Sequence, residues 1–215
     1  GTGNALDLHD YFQSGDLGNP DRTTWATRTR EYLDNPTNSD VNVVIWSWCG
    51  QVDTTEENID IYLDLMNQLE IDYPNVKFVY MTGHSDGGGE AGNVHLRNQQ
   101  IRNYCIANDK ILYDFYDIEL FDPDGNYFGD KLVDDGCDYD SDNNGTQDAN
   151  WAIEWQNTHV EDYDWYDCGS AHSEPLNANL KAYAAWWLWA TLAGWNPNST
   201  GPNAMPWNPL LLLAD

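Results

Sequence analysis

The sequence predicts a three-layer α/β/α domain on a mainly parallel sheet. Two observations carry that prediction: compact β-branched runs alternate with amphipathic helical stretches, and only short loops separate them. Parallel neighbours need a crossover connection, and such crossovers are right-handed. Of the 215 residues 41% are hydrophobic, enough for one sizeable core. The domain is expected over residues 1–195, with a Pro- and Asn-rich tail over 196–215.

The elements follow in order. "TWATRTREYLDN" (23–34) places Trp25, Thr29, Tyr32 and Leu33 at helical spacing. "VNVVIWSW" (41–48) reads as a buried strand. In "TTEENIDIYLDLMNQLEIDYP", Thr54 and Glu57 have capping-box spacing. Ile59, Tyr62, Leu63, Met66 and Leu69 then form one apolar stripe, and Pro74 stops the helix. "NVKFVYMTG" (75–83) is a second strand, "NVHLRNQQIRNYCIAN" (93–108) a helix and "KILYDF" (110–115) a third strand. A long irregular insertion is expected over 116–170. "PLNANLKAYAAWWLWATLAGW" forms the last helix, ended by Gly194, and the "LLLL" of the tail is expected to dock on an apolar patch of this chain or a neighbour.

Charge narrows the function classes. The 36 Asp and Glu against 9 Lys and Arg give a formal net charge of -27. Nucleic acid and anionic membranes both demand a basic face, so neither is expected as a partner. No apolar run approaches the ~20 residues that cross a bilayer. The abrupt start "GTGNALDL" reads as a processed or trimmed end. With four Cys that show no zinc spacing, and sequons at Asn144 and Asn198, it suggests a secreted, extracellular protein.

Ligands of open parallel sheets bind beyond the carboxyl ends of the strands. That rule selects "SWCGQ" (47–51), "GHSDGGG" (83–89), "DFYDIE" (114–119) and "YDCGSAHSEP" (166–175). His84 and His172 lie in these stretches, as do Gly50 and Gln51, whose backbone and amide N–H groups suit an oxyanion. Ser47, Ser85 and Ser170 lie near the same edge and default to structural roles; His9, His95 and His159 have no partner in the pattern.

"NVVIWSWCGQ", "FVYMTGH", "YDFYDIELFDPDG" and "AHSEPLNANLKAYAAWWLWATLAGW", in a β–α–β–α–β order, resemble the SGNH (GDSL-like) hydrolases, and most of all a secreted SGNH-hydrolase-like group. The resemblance covers roughly residues 20–195. It implies a flavodoxin-like sheet and an esterase whose serine follows the first strand. It makes His172 the general base and Gly50 with Gln51 the oxyanion donors. The acid of such enzymes stands three residues before the base; Gly169 occupies that place here, so the acid has to come from Asp167 or from elsewhere. No strand precedes the first helix, and Ser14 in "YFQSGD" follows no β-branched run. The first strand of the implied sheet is therefore missing from the pattern. The nucleophile comes from outside this segment or from a non-standard position.

"CDYDSDNNGTQDANW" (137–151) carries a second chemistry. Asp140, Asp142, Asn144, Gly145, Thr146 and Asp148 match positions 1, 3, 5, 6, 7 and 9 of an EF-hand-like loop. Trp151 replaces the closing Glu, so Asp138 or Glu154 must complete a structural Ca2+ shell. "DPDG" (122–125) is a plain type I turn. Strand direction sets Cys49 and Cys105 at opposite edges of the sheet, so both are expected to stay free. Cys137 and Cys168 flank the calcium loop and the His172 loop and are the expected disulfide. Eleven Trp is high for this length; core packing is the expected use of most of them, while any exposed aromatics over the acidic, Gly-rich cleft would suit a carbohydrate.

Two functions follow. One is a secreted esterase acting on acylated carbohydrate or a small ester. The other is a non-catalytic, calcium-stabilised extracellular protein that self-assembles into a homo-oligomer or polymer, a neighbour's strand filling the exposed sheet edge.

Overall fold

Three short runs of β-branched and aromatic residues pair into one parallel sheet: Val43–Ile45 (β1), Lys77–Met81 (β2) and Ile111–Tyr113 (β3), in the order β1-β2-β3. The computed structural model describes residues 5–10, 12–15, 17–47 and 50–196. Register pairs Val44 with Phe78 and Val79 with Ile111. Phe78 through Met81 are all buried, as a strand with neighbours on both edges and helices on both faces requires.

Helices α1 (Thr24–Leu33), α2 (Glu56–Asp72) and α3 (Asn93–Ala107) build one flank. The predicted stripe of α2, Ile59, Tyr62, Leu63, Met66 and Leu69, is the face that is buried. Tyr62 meets Tyr80 edge-on at 6.2 Å, Trp25 meets Trp46 at 5.6 Å, and Trp46 donates its indole N–H to Thr29 at 2.8 Å. Buried aromatic pairs of this kind stabilise by about 0.5–1.5 kcal/mol beyond their buried area.

The other flank grows from the insertion and the last helix. Residues 116–170, expected to be irregular, contain real elements: α4 (Phe115–Leu120), the antiparallel pair β4 (Asp138–Tyr139) and β5 (Ala149–Asn150), and α5 (Trp151–Gln156). Each is too short for a periodic signal to rise above its Asp- and Gly-rich surroundings. They pack around Phe128, Tyr139 and Trp151, with the Phe128 and Trp151 rings stacked at 5.9 Å. Helix α6 (Pro175–Leu192) closes the domain, and Gly194, at a φ of +96°, turns the chain out of it.

Two further details differ from expectation. The N-cap of α2 is Thr55, whose hydroxyl accepts from Asn58 N–H; Thr54, one residue earlier, instead accepts from Arg22 and from the Asn58 amide. The strands are also shorter than their apolar runs. The "LLLL" segment, Cys49, Trp48 and Asn198 lie outside the described residues.

Gly83, two residues after β2 ends, shows how tightly the carboxyl edge of the sheet is packed. A Cβ there would stand 2.5 Å from Val52 Cγ1, and its N–H donates to the buried Asn98 at 2.7 Å. Gly83→Ala is expected to cost about 1–3 kcal/mol, the usual penalty of overpacking, read as a lower midpoint in urea with an unchanged slope.

Candidate active site at the carboxyl edge of the sheet

The loops leaving the three strands meet the loop entering α6 and enclose a cavity of about 370 Å³. Gly50, His84, Phe115, Glu119, Asp135, Ala171, His172 and Lys181 line it. Three residues singled out from sequence, Gly50, His84 and His172, therefore share one cavity.

The loop after β2 is held from three sides. Thr82 donates its hydroxyl to Asp114 at 2.9 Å, Gly83 is bonded to Asn98, and Ser85 donates both its N–H (2.6 Å) and its hydroxyl (3.0 Å) to Glu119. An antiparallel bridge between Asp86 and Asp134 brings Asp135 alongside. His84 thus arrives with a defined tautomer. Its Nδ1 lies 2.8 Å from the Ser85 carbonyl oxygen, which can only accept, so Nδ1 carries a proton and the neutral ring has its lone pair on Nε2. Asp135 Oδ2 stands 3.7 Å from the same Nδ1.

Beneath the histidines lies a charged pair. Glu119 is 0% exposed, and Lys181 Nζ reaches its Oε1 at 2.7 Å while passing 4.2 Å over the Phe115 ring. Burial raises the Glu119 pKa, and the Lys181 charge and the Ser85 hydrogen bonds oppose that rise. His172 sits at a φ of +54°, in a turn fixed by the Ser170 hydroxyl on the Ser173 carbonyl (2.6 Å) and by Asn177 on the Ser173 hydroxyl (2.9 Å).

Two predicted members fall outside. Gln51 does not line the cavity; it lies in the one-turn helix over Gly50–Val52, and its backbone carbonyl accepts from the Arg22 guanidinium at 3.2 Å. Asp167 is exposed and also does not line it. The carboxylate placed beside a histidine is Asp135, and it stands by His84. Among the described residues lining the cavity there is no serine; Ser85 is buried and committed to Glu119, and Ser170 is committed to its own turn.

Glu119, Lys181 and Asp135 were missed from sequence. A signal existed for two of them. Lys181 is the one charged residue of its helix, and Glu119 follows the third strand at the edge where ligands bind.

The 138–150 loop has the predicted turn, with Gly145 at a φ of +87°. Asp140 is 3% exposed; its carboxylate accepts from Asn144 N–H (3.1 Å) and Gly145 N–H (2.7 Å). Burial raises its pKa, but these and the neighbouring N–H donors outweigh that and hold it below the ordinary value. Asp142 accepts from Asn144 N–H, Asn144 from Thr146 N–H, Asp148 from Ser141 N–H, and Asp138 from the Asn150 amide. Among the described residues no three His, Cys, Asp or Glu side chains gather closely enough to hold a metal. The oxygens are of the hard type calcium takes, but here they face backbone donors.

The expected Cys137–Cys168 bond is not formed. Cys137 is buried against the Asn177 amide (3.3 Å), whereas Cys168 is exposed with its sulfur 3.5 Å from the Asn179 amide. Asn177 and Asn179 point to different sides of α6, so the helix keeps the thiols apart. Cys105 is free and buried, and burial pushes its thiol up to about 12.

No family model matches the chain, and neither a curated protein nor a solved structure is significantly similar to it. No helix among the described residues is long and apolar enough to cross a membrane.

The Glu119–Lys181 pair yields a direct test. Glu119→Gln leaves a mostly buried ammonium without its counter-charge, which costs roughly 3 kcal/mol at neutral pH. The gap to wild type is expected to widen as the pH falls into the carboxyl range, because the raised pKa makes folded Glu119 bind a proton before the unfolded chain does, a gain in stability that the Gln variant lacks. Urea midpoints at neutral and acidic pH measure both effects.

Proposed function

We propose that this chain is a secreted ester hydrolase of SGNH type, acting on an acyl group carried by a carbohydrate. The observation that carries the reading is the shared cavity of Gly50, His84 and His172 at the carboxyl edge of a parallel sheet. Exposed Tyr163, Tyr166 and Tyr183 supply sugar-stacking surfaces on the insertion and α6, the elements that also bear Asp135 and Lys181.

The geometry favours His84 as the general base, since its Nε2 is free and its Nδ1–H is oriented by the Ser85 carbonyl and Asp135. In the simplest step His84 Nε2 takes a proton from water. The hydroxide oxygen adds to the ester carbonyl, whose oxyanion is met by the Gly50 N–H. The carbon–oxygen bond to the alcohol then breaks, and the alkoxide takes a proton from His172 in its protonated form. A serine brought to the same point would use the same base.

Hydrolysis of p-nitrophenyl acetate and of acetylated oligosaccharides tests the scheme. His84→Ala and His172→Ala are each expected to lower kcat/KM by about 100-fold or more, as loss of an acid or base does, without moving the melting temperature. A wild-type protein with no turnover above buffer, or two variants as active as wild type, would end the hydrolase reading.

Calcium remains the proposed structural ion of the 138–150 loop, with Asp140, Asp142, Asn144 and Asp148 as its holders and Asp138 and Thr146 at its margin. The sharp turn at Gly145 and the all-oxygen donor set support it. Calcium at a hundred times its dissociation constant adds about 2.7 kcal/mol, a melting shift of several degrees. That shift is expected to vanish in Asp142→Ala; thermal melts in calcium and in chelator decide it.

The non-catalytic, self-assembling reading draws its support from the edge of β1 that no strand among the described residues pairs.

A further inference from the structure

With Gln51 turned away, the cavity lacks the amide that was expected to share an oxyanion with Gly50. Lys181 lines the same cavity and, among the described residues that do, is the one with a fixed positive charge. An ammonium has three N–H groups to give. One goes to Glu119 Oε1 at 2.7 Å and one side covers the Phe115 ring at 4.2 Å; no other described residue accepts from it. The side chain is 14% exposed, so the capacity it has left borders the space shared with Gly50, His84 and His172.

The ammonium is also held in place. Tyr113, the last residue of β3, donates its hydroxyl to the Lys181 carbonyl at 2.8 Å and ties this turn of α6 to the sheet. Glu119 and Phe115 then fix the far end of the side chain. A donor fixed in advance costs no reorganisation at the moment a reacting atom gains charge.

We propose that Lys181 is the second oxyanion donor of this cavity, and that the substrate is an uncharged acyl ester. The assignment rests on the hydrolase reading above. As the water oxygen adds to the acyl carbon, the carbonyl π pair moves onto the carbonyl oxygen, which accepts from Lys181 Nζ and from the Gly50 N–H. The pair returns when the bond to the alcohol oxygen breaks, and Lys181 keeps its proton throughout. The other charged groups lining the cavity, Glu119 and Asp135, are acids, and the chain carries a net charge of -27. A substrate that brings its own anion enters against that field. A neutral ester does not, and the charge it develops in reaction is met by a cation rather than by a second neutral amide.

Lys181→Met alone strands a buried carboxylate, so the test pairs it with Glu119→Gln and compares this double variant with Glu119→Gln, which keeps the ammonium. Circular dichroism and melting show that each is folded. On p-nitrophenyl acetate the double variant is expected to have a kcat at least 100-fold lower than the single one, the usual effect of losing an oxyanion donor, with KM within threefold. Equal kcat in the two variants overturns the role of Lys181 and leaves the hydrolase standing. The mono-p-nitrophenyl ester of succinic acid is expected to be at least tenfold poorer than the acetate by kcat/KM in wild type. A preference for it, lost through KM in the double variant, overturns the assignment by giving Lys181 to a substrate carboxylate. Fluorine NMR titration with 1,1,1-trifluoroacetone, in water an uncharged tetrahedral hydrate, reads the oxygen site without turnover. Its dissociation constant is expected to rise at least tenfold from wild type to the double variant; equal binding, or none to wild type, overturns the site. An inactive wild type whose binding still depends on Lys181 keeps the oxygen site and ends the hydrolase reading alone.

Discussion

The carboxyl edge of this molecule depends on one buried acid. Glu119 is reached by Lys181 from α6 and by both donors of Ser85 from the loop after β2. A carboxylate without water is expensive unless every lone pair is answered. Here the answering groups come from separate segments, so satisfying the charge draws the sheet, the insertion and the last helix to one point. His84 immediately precedes Ser85 and inherits its position from that knot. The cavity between these segments is a by-product of holding Glu119.

The layered architecture was legible because its signals repeat. Five apolar positions of α2 recur at helical spacing, and the runs around Val44, Val79 and Leu112 are dense in β-branched and aromatic residues. The small elements of 116–170 were not legible. Helix α5 spans only Trp151–Gln156, less than two turns, and the pairing of β4 with β5 joins residues that look like turn formers in isolation. Such pieces exist through contacts with Phe128 and Trp151, which no local window contains.

For the site, strand-end reasoning delivered Gly50, His84 and His172 but not the details of partnership. Asp167 was nominated by distance along the chain, whereas Asp135 reaches His84 through the bridge of Asp86 with Asp134. Gln51 was nominated as a neighbour of Gly50, yet a single turn of helix sends adjacent residues in different directions. The cysteines teach the same lesson: closeness to two related loops did not bring the sulfurs together, since each found an asparagine on α6.

All nine Lys and Arg of the chain are already spoken for. Arg30, Arg97, Arg102, Lys110 and Lys181 pair with acids; Arg22, Arg28 and Lys77 hold backbone carbonyls; Lys131 lies over the rings of Phe128 and Tyr139. Most of the 36 carboxylates therefore have no Lys or Arg to neutralise them and depend on the medium. Dissolved ions become part of what keeps such a molecule compact, and dilution into pure water should loosen it. A brine would suit this chain better than a dilute buffer, the reverse of a surface held by its own ion pairs.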